Sequence, residues 1–423
     1  MSDYPFFFTW TAQSGAKPFH MTGGDRAHFT TADGSNWLDL GSLSYQVNAG
    51  HGRKRIVEAI KRQADELCLS SPNSVYPAKV ELAERLLAMA GPKFAGGKVF
   101  FTLGGAEANE NAIKIARLVT GRHKVISRYR SYHGASLGAL ALTGDWRRPP
   151  LEPTLAGVIH VHDSYCDRCP FGQRVETCKR ECASHVALTM KLEGARTVGA
   201  VFLEPCAGSN GVLVPPPEYW PMVRAACDAE GALMVADEVL TGFGRTGKPF
   251  AHQHWGAVPD IITVAKGLAS GYATIGAVIV PPQIATYFED HVLACGLTYY
   301  AHPTSCAAAV ETLRLYEDEK LFDHSAALGP VLARELENCA RRLAPKTFVR
   351  SIGLLGALEV DGVDPATWNV LAAELAKAKI SLHVEGRRSM AIFAPPLCIT
   401  EAELVDGVRR FGDAAVTAFG GVK

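Results

Sequence analysis

Lys266 closes an apolar run, DIITVAK (260–266), and is followed by GLASGY. Lysine rarely enters apolar surroundings without a function. There its amine loses its proton more readily and can attack a carbonyl carbon to form a Schiff base. The competing reading is a lysine that leaves the strand end into water. Asp237 ends a second apolar run, ALMVADE (232–238). A carboxylate at a buried strand end is costly unless a cation faces it. A protonated ring nitrogen is such a cation, and a ring kept protonated becomes an electron sink. Gly104, Gly105 and Ala106 follow a third run, KVFF (98–101), and open AEANENAIKIAR. Free N–H groups at a helix start bind anions, and glycine lets an anion come close. A Gly-Gly pair is also an ordinary turn. Tyr132-His133-Gly134 follows KVISR (124–128). It offers an aromatic face to a flat heterocycle, or serves as a structural Tyr-His pair.

An amine, a carboxylate, an anion cradle and an aromatic face form one site only if the chain brings them together. The runs that precede them recur along the middle of the chain, joined by GVIHVH (157–162), GAVFLEP (199–205) and IGAVIV (275–280). Most are apolar throughout, as strands covered on both faces are. Segments 106–119, 179–193 and 219–230 carry apolar residues at helical spacing. The βαβα rhythm predicts an α/β fold, a mostly parallel sheet with helices on both faces. Such sheets place their chemistry at the carboxyl ends of the strands. Five of the runs end in functional residues, the fourth at Glu204-Pro205. We therefore expect one shared site along that edge, built around a lysine-held pyridoxal phosphate. The flanks differ. Residues 1–58 hold short strand-like pieces, and residues 307–423 alternate helical and strand-like stretches. We expect these ends to form one smaller α+β domain beside a large domain at 59–306.

Composition narrows the function. The 423 residues are 48% hydrophobic and 20% charged, which excludes a mainly disordered chain. Lys+Arg and Asp+Glu are both 43. A polyanion binder needs excess positive charge, so neither nucleic acid nor a membrane surface is expected as a partner. No apolar run is long enough to span a bilayer, and MSDYPFFFTWTAQSG lacks a basic leader segment. The expected location is cytoplasmic. Seven of the eleven cysteines are scattered in apolar or helical contexts and read as reduced thiols. The other four, Cys166, Cys169, Cys178 and Cys182, lie in CDRCPFGQRVETCKREC with zinc-site spacing. Free thiols, a disulfide and a structural metal all fit that spacing. We expect no metal in the chemistry.

The set GGAEANENAIKIAR, SYHG, EPCAG (204–208), DEVLTGFGRTG, AKGLASGY and LTYYAHP resembles the class III pyridoxal-phosphate aminotransferases of fold type I, in order and spacing. The resemblance runs from about residue 35 to the end. VNAGHGRKRIVEAIKRQ, VPPPEYWPMVR and FAHQHWG are most similar to the pyruvate-dependent omega-aminotransferases acting on taurine, β-alanine and other amines. The resemblance implies that Lys266 holds the cofactor and carries a proton between substrate and cofactor. Asp237 would bind the pyridine nitrogen, Tyr132 and Val239 would cover the two ring faces, and Gly105 and Ala106 would bind the phosphate. His133, Gly134 and Glu204 would complete the cofactor site. Thr298 would reach the phosphate of a partner subunit, making the active unit a homodimer, or a tetramer of such dimers. Tyr45 stands where many relatives carry a substrate-pocket aromatic, and reads equally as a core aromatic.

Two departures bear on the pocket. Ala106 replaces the usual serine, removing a hydroxyl from the phosphate cradle. Many relatives carry a carboxylate-binding arginine before the final Pro-Pro segment. Here Glu385 stands near that point, with Arg387 and Arg388 just after it. Those arginines read either as the clamp or as solvated surface residues. The expected reaction passes an amino group from an amine or omega-amino acid to an oxo acid. The acceptor is expected to be pyruvate, by a ping-pong route through pyridoxamine phosphate. A decarboxylase or aminomutase would share every cofactor residue. A pyridoxal-phosphate-binding regulator would need a DNA-binding extension that the sequence does not display.

Overall fold

The computed structural model describes residues 4–194 and 196–421. Seven strands form the large sheet: β1 (Lys98–Thr102), β2 (Lys124–Arg128), β3 (Val158–Val161), β4 (Val198–Leu203), β5 (Leu233–Asp237), β6 (Ile261–Val264) and β7 (Gly276–Val280). Their order across the sheet is β1-β7-β6-β5-β4-β2-β3. Pairs β2–β3, β2–β4, β4–β5 and β5–β6 are parallel. β7 runs antiparallel to both neighbours. Only residues 265–275 separate it from β6, and they form a short turn rather than the crossover helix a parallel return requires.

The apolar runs are strands because both faces are covered. Along β4, Ala200 and Phe202 pack with Ala112, Ile115 and Ala116 of the helix Gly105–Thr120. Val201 and Leu203 turn the other way, toward Val186 and Met190 of helix Glu181–Leu192 and Val223 of helix Tyr219–Glu230. Burying each such aliphatic side chain stabilises the fold by about 1.5–3 kcal/mol. All residues of β4, β6 and β7 are buried. The three expected helices are observed within two residues of their expected ends.

Strands from the two ends of the chain meet. Ile380–Ser381 joins Asn36–Asp39 in parallel, with Ile380 beside Leu38, in a sheet completed by Met21–Asp25 and His28–Thr31. A second small sheet holds Thr347–Ile352, Leu355–Val360, Met390–Phe393 and His383–Glu385. Helix Leu321–Arg342 and helix Glu401–Phe419 pack with these sheets in one core. This layout carries residues 39–45 and 380–388 to the carboxyl edge of the large sheet.

Candidate active site

Five strand exits do converge. Gly105 and Ala106 after β1, Tyr132 to Gly134 after β2, Glu204 after β4, Asp237 at the end of β5 and Lys266 after β6 line one cavity of about 250 Å³, joined by Val239, Leu240 and Ser209. Lys266 has a left-handed backbone with φ 43°. Such a conformation costs about 1–3 kcal/mol in a residue with a side chain and persists only where the surroundings impose it. The Lys266 amine is held below its ordinary pKa, first by desolvation, with the Arg147 charge adding to the effect and Asp237 and Glu204 opposing it. A depressed lysine pKa leaves more free amine at neutral pH, as carbonyl chemistry requires.

Asp237 is buried and held by three donors. Asn109 Nδ2 donates to Oδ2 at 2.7 Å, His133 Nδ1 lies 2.6 Å from the same oxygen, and the Val239 N–H donates to Oδ1 at 3.0 Å. His133 Nε2 in turn lies 3.2 Å from Ser127 Oγ, which fixes the ring plane. Asn109 also donates to the His133 carbonyl at 2.8 Å and accepts from Thr263 Oγ1 at 2.8 Å. One asparagine thus ties the helix Gly105–Thr120 to the ends of β2, β5 and β6.

The residues present fit pyridoxal phosphate. A Cβ on Gly105 would lie 2.7 Å from Val239 Cγ1, and one on Gly134 would lie 2.6 Å from the Ala106 Cβ. The glycines are therefore required by close approach at the floor of the cavity. The first-turn amides of Gly105 and Ala106 have no intrahelical acceptor and stand ready for an anion. Glu204 is buried, and its oxygens accept from Tyr132 N–H at 3.0 Å and Gly208 N–H at 3.1 Å. Burial raises the Glu204 carboxyl above its ordinary pKa. Glu204 therefore positions the Tyr132 backbone at the cavity rim.

Beyond the inner cavity, Arg147, Trp146 and Asp145, which the sequence pattern did not single out, meet the expected pocket residues Arg388 and Arg387. Arg147 donates to Asp145 Oδ2 at 2.6 Å, and its guanidinium lies 4.4 Å from the Tyr132 ring centre. Trp146 and Trp10 flank it at 5.2 Å and 5.5 Å, and Trp10 also packs edge-on to Tyr132. Arg388 shares Asp145 at 3.3 Å and bonds Asn210. Arg387 is exposed and stacks on Trp146 at 4.1 Å. Arg387 and Arg388 thus line a second, outer cavity of about 680 Å³ with Arg130, Arg168 and Trp146, not the inner one. Tyr45 is buried against Leu240 and Met390, with Lys266 Nζ 5.9 Å from its ring centre.

Thr298 is exposed and lies apart from the inner cavity, beside Pro72 and Asn73. The eleven cysteines are free thiols. Cys166, Cys169 and Cys178 each influence the titration of Cys182, so the four thiols are neighbours. Among the described residues, no three His, Cys, Asp or Glu side chains are gathered as metal ligands. Asn109 had a legible signal, a polar residue on the apolar face of an otherwise amphipathic helix. Arg147 and His383 had none, since nothing local separates them from surface residues.

The chain matches the family model described as Aminotransferase class-III over residues 11–415. It is 35% identical to the uncharacterized aminotransferase YhxA of Bacillus subtilis, over 94% of this chain and 92% of that one. It is 32% identical to the diaminobutyrate–2-oxoglutarate transaminase of Halomonas elongata, over 92% and 88% of the two chains. Among solved structures, the taurine:2-oxoglutarate aminotransferase of Bifidobacterium kashiwanohense superposes with a TM-score of 0.90 at 35% identity, covering 97% of this chain and 95% of the other. An amine transaminase from an uncultivated Pseudomonas species superposes at 0.91 with 32% identity, covering 99% of each chain. With a lysine and a carboxylate set across a glycine-floored cavity and a family match spanning nearly all its length, this chain belongs to the class III aminotransferases, enzymes of pyridoxal phosphate.

Proposed function

We propose that the enzyme moves an amino group from an amine or omega-amino acid to pyruvate in two alternating half-reactions. The observation that carries the reading is the placement of Lys266 and Asp237 around one small cavity, with Arg147 stacked on Tyr132 of its wall. When bound, pyridoxal phosphate supplies the electron sink for the substrate carbon. Lys266 would hold the cofactor covalently and, once released, would move the proton at the substrate carbon. Asp237, fixed by Asn109, His133 and Val239 N–H, would keep the ring nitrogen protonated. Tyr132 and Val239 would cover the ring, and the Gly105 and Ala106 amides would bind the phosphate. These preset groups need no rearrangement as charge develops.

The charges around the substrate space support a single carboxylate. Arg147 and Arg388 share Asp145, which leaves one surplus positive charge. A second anion would meet Glu385, whose negative charge adds to the rise that burial gives Tyr45 and opposes the fall that burial gives His383. Pyruvate asks for one cation and a small apolar space; 2-oxoglutarate needs a second cation where Glu385 stands. The cavity must also hold the cofactor, so short donors fit best.

The active unit we infer is a homodimer. Exposed Leu69, Val75, Val292 and Tyr299 belong to the two segments that bracket the Thr298 cavity. An apolar rim of that kind fits a subunit interface that brings Thr298 to a neighbouring phosphate. Steady-state kinetics with a panel of amines, and pyruvate or 2-oxoglutarate as acceptor, tests the reading. A higher kcat/KM for 2-oxoglutarate would overturn the single-cation pocket.

A further inference from the structure

Three buried polar atoms near Lys266 have no hydrogen-bond partner: Tyr45 Oη, Arg147 Nε and His383 Nε2. Unpaired polar atoms in a buried setting are costly, about 1–3 kcal/mol each, unless a ligand or water completes them. Two of them touch: the Tyr45 and His383 rings meet at 62° with centres 5.3 Å apart. The third flanks the same site: the Arg147 guanidinium lies 4.4 Å from the ring centre of Tyr132, which lines one cavity with Lys266.

The chain invests strain in this arrangement. Ser42, Leu43 and Tyr45 have φ of 47°, 54° and 63°. Asp39 pins the loop by accepting the Gly41 N–H at 3.1 Å and the Leu43 N–H at 3.1 Å, and is itself held by His51 at 2.8 Å. Arg245 donates to Ser42 Oγ at 3.2 Å. A Cβ on Gly41 would lie 3.3 Å from the His383 N, so the loop and the His383–Glu385 strand pack backbone to backbone. A core aromatic would need none of this. Clustered left-handed residues beside a reactive lysine mark a site whose geometry is imposed for binding.

We propose that Tyr45 Oη and the His383 imidazole N–H form a hydrogen-bonding subsite that takes one oxygen of the substrate carboxylate, while Arg147 Nε takes the other. This deepens the pyruvate reading and rests on it. Burial holds His383 below its ordinary pKa, so the ring is neutral and can donate from one nitrogen without adding charge. The charged groups facing the subsite are Arg147, Arg388, Glu385 and Lys266. Glu385 accepts the Arg387 N–H at 3.2 Å and sets the limit of one anion.

The test compares pyruvate with propanal, a three-carbon acceptor without a carboxylate, in the second half-reaction of the holoenzyme. Tyr45→Phe removes only the hydroxyl, and His383→Leu removes the ring nitrogen. Each should raise KM for pyruvate about tenfold or more, change kcat less than about threefold, and raise KM for propanal several-fold less than for pyruvate. Propionate, titrated calorimetrically against the holoenzyme, should weaken in parallel. His383→Gln, which keeps an N–H, should recover part of the loss. Equal losses on pyruvate and propanal, or no loss on pyruvate, would overturn the subsite. If the wild type instead prefers 2-oxoglutarate, the acceptor reading fails, and the same comparison on that acid decides the subsite by the same criterion.

Discussion

Replacing Arg147 by methionine separates the two tasks its guanidinium performs. Asp145, whose side chain is fully buried, would lose its 2.6 Å partner. Breaking a buried ion pair costs about 3–5 kcal/mol. Asp145 would keep Arg388 at 3.3 Å, Asn210 at 3.4 Å and the Arg147 backbone N–H at 3.0 Å, which places the loss near the low end, about 3 kcal/mol. The substrate loses a hydrogen bond to a charged donor, about 1.5–3 kcal/mol, or about ten- to hundredfold in KM at about 1.4 kcal/mol per tenfold. Urea unfolding of the apo protein reads the first quantity. Half-reaction kinetics with pyruvate, with propanal as the carboxylate-free control, reads the second. Arg147→Lys keeps the charge but loses the planar fork that stacks on Tyr132, so its KM should fall between the two. A folded Arg147→Met enzyme whose KM for pyruvate stays within about twofold of wild type would refute the carboxylate role.

Four further outcomes are expected. Asn109→Leu removes the donor to Asp237 and the links to His133 and Thr263. It should destabilise the apo protein by about 2–4 kcal/mol and weaken cofactor retention on dialysis; a variant that keeps both would show that Asp237 is held without it. The His160 imidazole is pushed down to about 4 from 6.5, first by burial and then by Arg148. Below about pH 6.5 the unfolded chain takes a proton that the folded chain refuses, so stability present above that pH is lost on descent toward about 4. Urea midpoints at pH 7 and pH 4.5 should diverge less in His160→Gln; an unchanged difference would remove His160 as a cause. Lys266→Ala should abolish the borohydride-reduced cofactor adduct, and mixing it with Thr298→Ala subunits should restore some activity; verified heterodimers without recovery would count against a shared site. Serine at Cys166, Cys169, Cys178 and Cys182 should leave turnover of folded protein intact, whereas one zinc ion per wild-type chain, absent from the variant, would establish a metal there.

Much of the cofactor side was legible because it is local. Most residues that line the inner cavity stand at or within a few residues of the end of an apolar strand. A strand buried on both faces reads as a continuous apolar run whose carboxyl end is fixed to within a residue or two. Lys266, Asp237, Glu204, Tyr132 and Gly105 could be placed on one edge by that rule alone, and all five line one cavity. The antiparallel direction of β7 was less legible, because its run looks like its neighbours and only the short connection reverses it.

The proposed substrate side depends on contacts that include segments far apart in the chain. Arg147 acquires its setting from Trp10, Tyr132, Asp145 and Arg388, and Tyr45 meets His383 only because Ile380–Ser381 pairs with Asn36–Asp39. The motif beside the final prolines drew attention to Arg387 and Arg388, yet packing turns one onto Trp146 and spends the other on Asp145. Sequence alone determined the residues that strand ends present, because strand period and burial are encoded in neighbouring residues, and its motifs carried the resemblance to the family and its cofactor. Which arginine stacks on Tyr132, which on Trp146, and which polar atoms stand buried without a partner, only the tertiary structure decided, because charge pairing and desolvation depend on what the fold brings near.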